Sequence, residues 1–303
     1  MVGEDDLRNL LWELLGEIPS VNSKPSGVLQ ETIVHDGFRQ EEWILDLNGE
    51  QEVPATLLIP TGIGKHSPAP AIVYNHAHGS RYDIGRKEVL EGRPALLEPH
   101  WGEILCNMGI IVLCIDMWAF GGRADETESS LFKRMLWSGQ VLWGRMVFDN
   151  VRALDWLLSR PEVDAQRIGT MGISLGSTMA WWHAALDERI KLCIDICCLT
   201  DFDSLVSNGN LDGHSIYYYV PKLRQHTTTA EINALIAPRM HLSCAGIQDI
   251  LTPPEGLDII DSHLKKTYAE YGAADSWHLF REDVGHLETK GMRGICIEWL
   301  AKL

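Results

Sequence analysis

The chain has no run of apolar residues approaching the roughly 20 that a membrane-spanning helix needs. Its first residues, Met1-Val2-Gly3-Glu4-Asp5-Asp6, are acidic where a secretory leader carries a basic segment and an apolar core. Both absences lead to the expectation of a cytoplasmic protein with no membrane partner. Positive charge is also in deficit: 26 lysines and arginines stand against 42 aspartates and glutamates, a formal net charge of −16. That balance argues against nucleic acid as a partner. No C-x-x-C pair of the metal-binding type occurs among the 7 cysteines. Their number is odd, and Cys114, Cys193 and Cys244 lie in apolar strand-like runs, so they read as buried thiols. The adjacent pair Cys197-Cys198 reads as a strand end packed in the core. No internal repeat and no low-complexity linker interrupts the 303 residues, so one domain spanning 1–303 is expected.

What is present is a hydrophobic pattern that changes character once. From Leu29 to Ile59, short alternating runs separated by Asp36-Gly37 and Asn48-Gly49 predict antiparallel strands with one wet face. Beyond them, the runs Ala71 to Tyr74, Ile110 to Ile115, Ile168 to Gly172, Leu192 to Ile196, Met240 to Cys244 and Trp277 to Phe280 are largely apolar. They predict strands buried on both faces of a mainly parallel sheet. Leu142, Met146, Val151, Leu154, Leu157 and Leu158 recur at helical spacing and predict a helix that stops before Pro161. Further helices are expected over Met179 to Leu186, Pro254 to Tyr271 and Met292 to Leu300. An amphipathic helix at about residues 4–16 either covers part of the sheet or serves a contact between copies of the chain. The fold class is therefore α/β, a mostly parallel sheet with antiparallel N-terminal strands and helices on both faces. Two cap-like inserts, about 121–140 and 201–236, are expected above the C-terminal edge of the sheet, where open α/β folds place their sites.

The segment Gly172-Ile173-Ser174-Leu175-Gly176 reads G-x-S-x-G between a predicted strand and a predicted helix. At such a turn the serine is backbone-strained, and side chains two residues to either side would clash, which glycine avoids. A serine hydroxyl holds its proton at neutral pH, so a base must take it and an acid must orient that base. Asp249 falls in a loop after the strand ending at Cys244, and His286 in a loop after the strand ending at Phe280. Asp201, Asp203 and Asp258 are rivals for the acid, but Asp258 falls within a helix, and Asp249 is preferred. The oxyanion of a tetrahedral intermediate needs backbone donors. Leu175, next to the nucleophile, supplies one, and the loop Asn75-His76-Ala77-His78-Gly79-Ser80 supplies the other, with the amide of His78 first and that of Ser80 as fallback. His76-x-His78 could pair on a metal, yet no third ligand is identifiable, so no metal and no organic cofactor is expected. Trp118, Phe120, Phe132, Met135, Trp137, Trp143 and Tyr217-Tyr218-Tyr219 are expected chiefly to pack the inserts, and Arg81, Arg86 and Lys87 to be solvated surface.

With these motifs the chain resembles the α/β-hydrolase superfamily, nearest to its dienelactone-hydrolase-like, acetyl-xylan-esterase-like and prolyl-oligopeptidase-like branches. The resemblance runs from about Val53 to the C-terminus. It includes Asp116-Met117-Trp118-Ala119-Phe120-Gly121-Gly122-Arg123, the stretch from Ala153 to Gly169, and Ala237-Pro238-Arg239. It departs at Ser174, where dienelactone hydrolases proper use cysteine, and at Ala77, which replaces a glycine of the oxyanion loop. The resemblance implies a serine hydrolase that cleaves small carboxylic esters, carbohydrate esters among them, through an acyl-enzyme. The alternatives are a prolyl-oligopeptidase-like peptidase or amidase, disfavoured because no room precedes the first parallel strand for a propeller, and a hydrolase-fold binding protein without catalysis.

Overall fold

The structure, a computed structural model, describes residues 3–21 and 23–303. Met1 and Val2 of the acidic start, and Asn22, lie outside the described residues. The strands are β1 (Ser26–Val34), β2 (Phe38–Asp46), β3 (Glu52–Pro60), β4 (Ala69–Asn75), β5 (Ile111–Ile115), β6 (Val163–Ile173), β7 (Leu192–Ile196), β8 (Met240–Gly246) and β9 (Trp277–Glu282). They form one sheet of order β1-β2-β3-β5-β4-β6-β7-β8-β9. Pairings among β1, β2, β3 and β5 are antiparallel, and all others are parallel. The chain steps from β4 to β5 on one side and then returns to β6 on the other. The carboxyl ends of β4 and β6 therefore flank the switch point of the topology, where a crevice opens.

The apolar strands are apolar because both faces of the sheet are covered. Side chains alternate across a strand, so Leu57, Val73 and Leu113 enter one buried cluster while Leu58, Ile72 and Val112 enter another. The first cluster is closed by the helices Leu142–Leu158, Leu175–Leu186 and Pro254–Glu270. The second is closed by Trp101–Asn107 and Lys290–Leu300. The helix Trp101–Asn107 has no counterpart in the sequence reading, because seven residues after Pro94 and Pro99 are too few to display a helical period. The N-terminal strands also depart from the expected single wet face. Edge strand β1 is exposed along nearly all its length, whereas β3, paired on both sides, is buried at every position after its first.

The first helix, Glu4–Leu14, packs on the helical layer. Leu11 and Leu15 are fully buried in the first cluster, and Arg8 donates to the carbonyls of Ala185 and Leu235 at 3.2 and 3.1 Å. A Cβ on Gly144 would lie 2.0 Å from the Leu15 carbonyl oxygen, so glycine is required for this docking. Of the two expected inserts, 121–140 contains the helix Glu128–Trp137, and 201–236 contains Phe202–Ser207, Leu223–His226 and Thr229–Ala234. Among the described residues, no helix is long and apolar enough to cross a membrane.

If the N-terminal helix is part of the cooperative core, Leu11→Ala should lower the unfolding free energy by about 2–5 kcal/mol, as for other buried leucines. Urea titration followed by circular dichroism measures this; a loss below about 1 kcal/mol would show that the helix frays independently.

Candidate active site

Ser174 has φ 61° and ψ −120°, a left-handed conformation that costs a non-glycine residue about 1–3 kcal/mol. The strain is held by the Ser174 amide, which donates to the Ile196 carbonyl in β7 at 2.9 Å, and by the helix Leu175–Leu186 that starts at the next residue. The two glycines of the motif have an identifiable neighbour. A Cβ at Gly172 would stand 2.4 Å from the Asn75 carbonyl oxygen, and one at Gly176 only 1.9 Å from it. The end of β4 therefore touches the turn directly, with no room for a side chain between them.

Asp249 and His286, from the loops after β8 and β9, come together. His286 Nδ1 lies 2.7 Å from Asp249 Oδ2, and the other carboxylate oxygen accepts the Leu251 amide at 3.0 Å. Asp249 is 2 % exposed. Its carboxylate accepts the hydrogen bond from Nδ1–H, which leaves Nε2 to present a lone pair. Ser174 and His286 line the same cavity, of about 400 Å³. The rival acids are engaged elsewhere: Asp201 caps the helix Phe202–Ser207, Asp203 pairs with Arg224 at 2.6 Å, and Asp258 with Arg281 at 2.8 Å.

In the loop after β4, the Ala77 amide donates to Glu88 Oε2 at 2.9 Å, and the Ser80 amide donates to His78 Nδ1 at 2.9 Å. Among the described residues, the His78 amide between them has no acceptor. The amide of Leu175, first residue of its helix, has no helical acceptor either. Since Nδ1 of His78 accepts from a backbone amide, its Nε2 carries the proton and donates to Glu128 Oε2 at 3.3 Å. His76 is wholly buried. It accepts the Met117 amide on Nε2 at 3.1 Å and donates from Nδ1 to the Ala77 carbonyl at 3.1 Å. Both its nitrogens are engaged within the protein, so this pair of imidazoles orders loops rather than presenting two lone pairs to a metal. Burial pushes the His76 ring down to about 3, with Arg93 adding to the effect.

The rest of the cavity wall was not foreseen from sequence. Tyr82, Arg93, Cys198, His214, Ser215 and Leu251 line it, yet none sits in a recognisable motif. Of the aromatic residues singled out in the inserts, Tyr217 lines the cavity. Trp118, Phe120, Met135 and Trp143 are buried in the first core cluster, and Trp137 is 96 % exposed. Cys197 and Cys198 are buried just past the end of β7. Arg81 pairs with exposed Asp83, while Arg86 is not free surface: it binds Glu42 at 2.9 Å and buried Asp116 at 2.6 Å. Apart from the cavity, the donor atoms of Cys193, Asp195 and His241 lie within 4.8 Å of one another inside the sheet. There Asp195 accepts from Ser243 Oγ and pairs with His241 Nε2, each at 2.7 Å, while His241 Nδ1 is buried without a partner among the described residues.

Residues 122–231 match a family model described as acetyl xylan esterase (AXE1). The chain is 43 % identical over 300 residues to YtaP of Bacillus subtilis (strain 168), a protein named as a hydrolase, and the match covers 97 % of this chain and 98 % of that one. Solved structures extend the likeness. A Bacteroides fragilis NCTC 9343 protein named as an acetyl xylan esterase superposes with TM-score 0.73 at 20 % identity, over 93 % of this chain and 74 % of that one. A glucuronoyl esterase from Solibacter usitatus gives TM-score 0.70 at 14 % identity, over 97 % and 91 %. The acetyl xylan esterase of Paenibacillus sp. R4 gives 0.62 at 20 % identity, over 98 % and 92 %. At these identities the structural likeness is one of fold.

His76 shares its suppressed basicity with His183, buried in the helix Leu175–Leu186 and pushed down to about 4 by burial. Both rings stay neutral in the folded chain, while unfolded histidine protonates near about 6.5. Below that pH the unfolded state binds more protons, so stability is full above about 6.5 and declines as pH falls through about 4 and about 3. Urea midpoints measured from pH 7 to pH 5 should therefore fall, and His183→Gln should make the decline shallower. An unchanged slope in that variant would show that His183 is protonated in the native state.

Proposed function

The chain belongs to one family with YtaP and to the α/β-hydrolase superfamily, and from that premise we propose that it hydrolyses carboxylic esters through an acyl-enzyme on Ser174. The observation that carries this reading is the pairing of His286 with buried Asp249 at the mouth of the cavity that also contains the strained Ser174. In the reaction, Ser174 Oγ attacks the ester carbonyl carbon while His286 Nε2 takes its proton. Asp249 keeps the ring in the required tautomer and stabilises the imidazolium. The oxyanion accepts from the amides of Leu175 and His78. Collapse of the tetrahedral species expels the alcohol, which takes the proton back from His286. Water, deprotonated by the same ring, then cleaves the acyl-enzyme.

The class of ester is narrower than the chemistry requires. A cavity of about 400 Å³ with Tyr82, Tyr217, His214 and Ser215 on its wall suits a small acyl group on a polar, ring-shaped alcohol. The similarity of residues 122–231 to the acetyl xylan esterase model supports the same choice. We therefore favour deacylation of carbohydrate or other small esters. The compartment proposed is the cytoplasm, supported by seven cysteines that are all free thiols.

A fluorophosphonate probe should label the wild-type protein and leave Ser174→Ala unlabelled; equal labelling of the two would overturn the assignment of the nucleophile. Asp249→Asn should lower kcat by about 10⁴-fold, the order found for a triad acid. Across p-nitrophenyl esters of increasing chain length, run beside acetylated xylo-oligosaccharides, turnover should favour the acetyl members, and a preference for long acyl chains would refute the small-ester reading.

A further inference from the structure

A buried ion pair with one member, Arg93, on the cavity wall has no part in the proposed reaction. Glu88, fully buried, opens the short helix Glu88–Glu91, and Arg93, whose side chain is 5 % exposed, follows it. Arg93 Nε binds Glu88 Oε2, and Glu88 Oε1 accepts the Tyr74 hydroxyl at 2.9 Å. The pair holds Ala77 on both sides: the Ala77 amide donates to Glu88 Oε2 at 2.9 Å, and the Ala77 carbonyl accepts Arg93 Nη2 at 2.9 Å. Gly79, with φ 51°, packs on the same guanidinium, where an added Cβ would stand 2.4 Å from Nη1. The residues on both sides of His78 are thus seated on Arg93. A buried ion pair is a weak source of net stability, since desolvation offsets its attraction. Its place under this loop is better accounted for by what the loop presents.

We propose that Arg93 is a positioning residue for ester hydrolysis, fixing and polarising the Ala77–His78 peptide so that the His78 amide meets the oxyanion. The inference rests on the reading of Ser174 as nucleophile and of the His78 amide as a donor. The carbonyl of Ala77 and the amide of His78 belong to one conjugated unit. A cation hydrogen-bonded to that oxygen draws electron density from the nitrogen and makes the N–H a stronger donor. The gain grows as the substrate oxygen acquires charge, so it acts on the transition state more than on substrate binding. The arrangement also explains how Ala77 can stand where related loops have glycine, because the loop's path is set by hydrogen bonds to Ala77 backbone and not by its side chain. Glu88 completes the device by aiming the guanidinium and neutralising it.

The test uses kcat and KM for p-nitrophenyl acetate together with the inhibition constant of an aryl trifluoromethyl ketone, which reversibly forms a tetrahedral oxyanion on a serine. Arg93→Ala should lose about 10- to 100-fold in kcat, at or below the loss from deleting one oxyanion donor, with KM within about twofold. The ketone should weaken by the same factor as kcat/KM, and added guanidinium should restore part of the activity. Arg93→Lys keeps the charge beside Glu88 but has no planar fork to reach the Ala77 carbonyl as well; it should keep the wild-type thermal midpoint and still lose kcat. Wild-type kcat in Arg93→Lys, a loss confined to KM, or ketone affinity that does not follow kcat/KM would each overturn the inference. Failure of the wild-type protein to hydrolyse esters or to react with a fluorophosphonate at Ser174 would instead remove the reading on which it rests.

Discussion

The closest constraint in this molecule is the contact between the last carbonyl of β4 and the turn that carries Ser174. Asn75 oxygen sits where any side chain at Gly172 or Gly176 would stand, so the two segments are locked at a separation that only glycine permits. Asn75 reinforces the lock from its side chain, donating to Thr170 Oγ1 at 2.9 Å and to the Met171 carbonyl at 3.2 Å in β6. Leu175 and His78 each lie just beyond this contact, one opening the helix that follows β6 and the other in the loop that follows β4. Their amides can address one substrate oxygen only if β4 and β6 are held in fixed register, and the lock provides that. The strained φ of Ser174 follows from the same geometry: the chain must leave β6 and enter its helix without retreating from Asn75.

Around this contact several buried polar groups are held by specific partners. His76 is buried with both ring nitrogens engaged, while Glu88 faces Arg93 and Asp116 faces Arg86 as opposed charges. Burial raises the carboxyls of Glu88 and Asp116, and the facing arginine pulls each back toward ionisation. Such groups contribute little to net folding energy but tolerate few alternative arrangements, because moving one partner leaves the other unpaired in a poorly polarisable interior. The loops after β4 and β5 are therefore fixed in direction by electrostatics, while the sheet beneath them is fixed by apolar packing.

The parts of this design that could be read from sequence are those set by local constraint. The elbow was legible because a steric demand at positions 172, 174 and 176 leaves a fixed spacing of small residues around a serine. Asp249 and His286 were legible because each falls directly after an apolar strand, and strand ends in a parallel sheet share one edge. Arg93, Glu88 and Cys198 were not, since their positions depend on how loops distant in sequence fold onto that edge, and neither period nor motif marks them. For the same reason the sequence does not show that Arg86 is engaged: its partners, Glu42 on β2 and Asp116 just past β5, are far from it in the chain. The short helix Trp101–Asn107 failed to show because prolines and brevity hide its period, and the burial of β3 because alternation reports one covered face, not two.

Glu128 sits where the loop after β4 meets both inserts. Its Oε2 accepts from His78 Nε2, from the Tyr82 hydroxyl at 3.0 Å and from Ser215 Oγ, so one carboxylate joins the oxyanion loop to both inserts. Burial alone would raise that carboxyl, yet the hydrogen bonds from His78 and Ser215 hold it below the ordinary value, which keeps it the charged acceptor all three donors require. The cavity wall contributed by the second insert, with Ser215 and Tyr217, is thereby tied through Glu128 to the imidazole of His78, the residue proposed to donate its amide to the oxyanion, and His78 and Tyr217 stack at 5.8 Å across the same junction. In the proposed reaction, the wall that would receive the alcohol portion and the loop that would donate to the oxyanion therefore belong to one hydrogen-bonded network centred on Glu128.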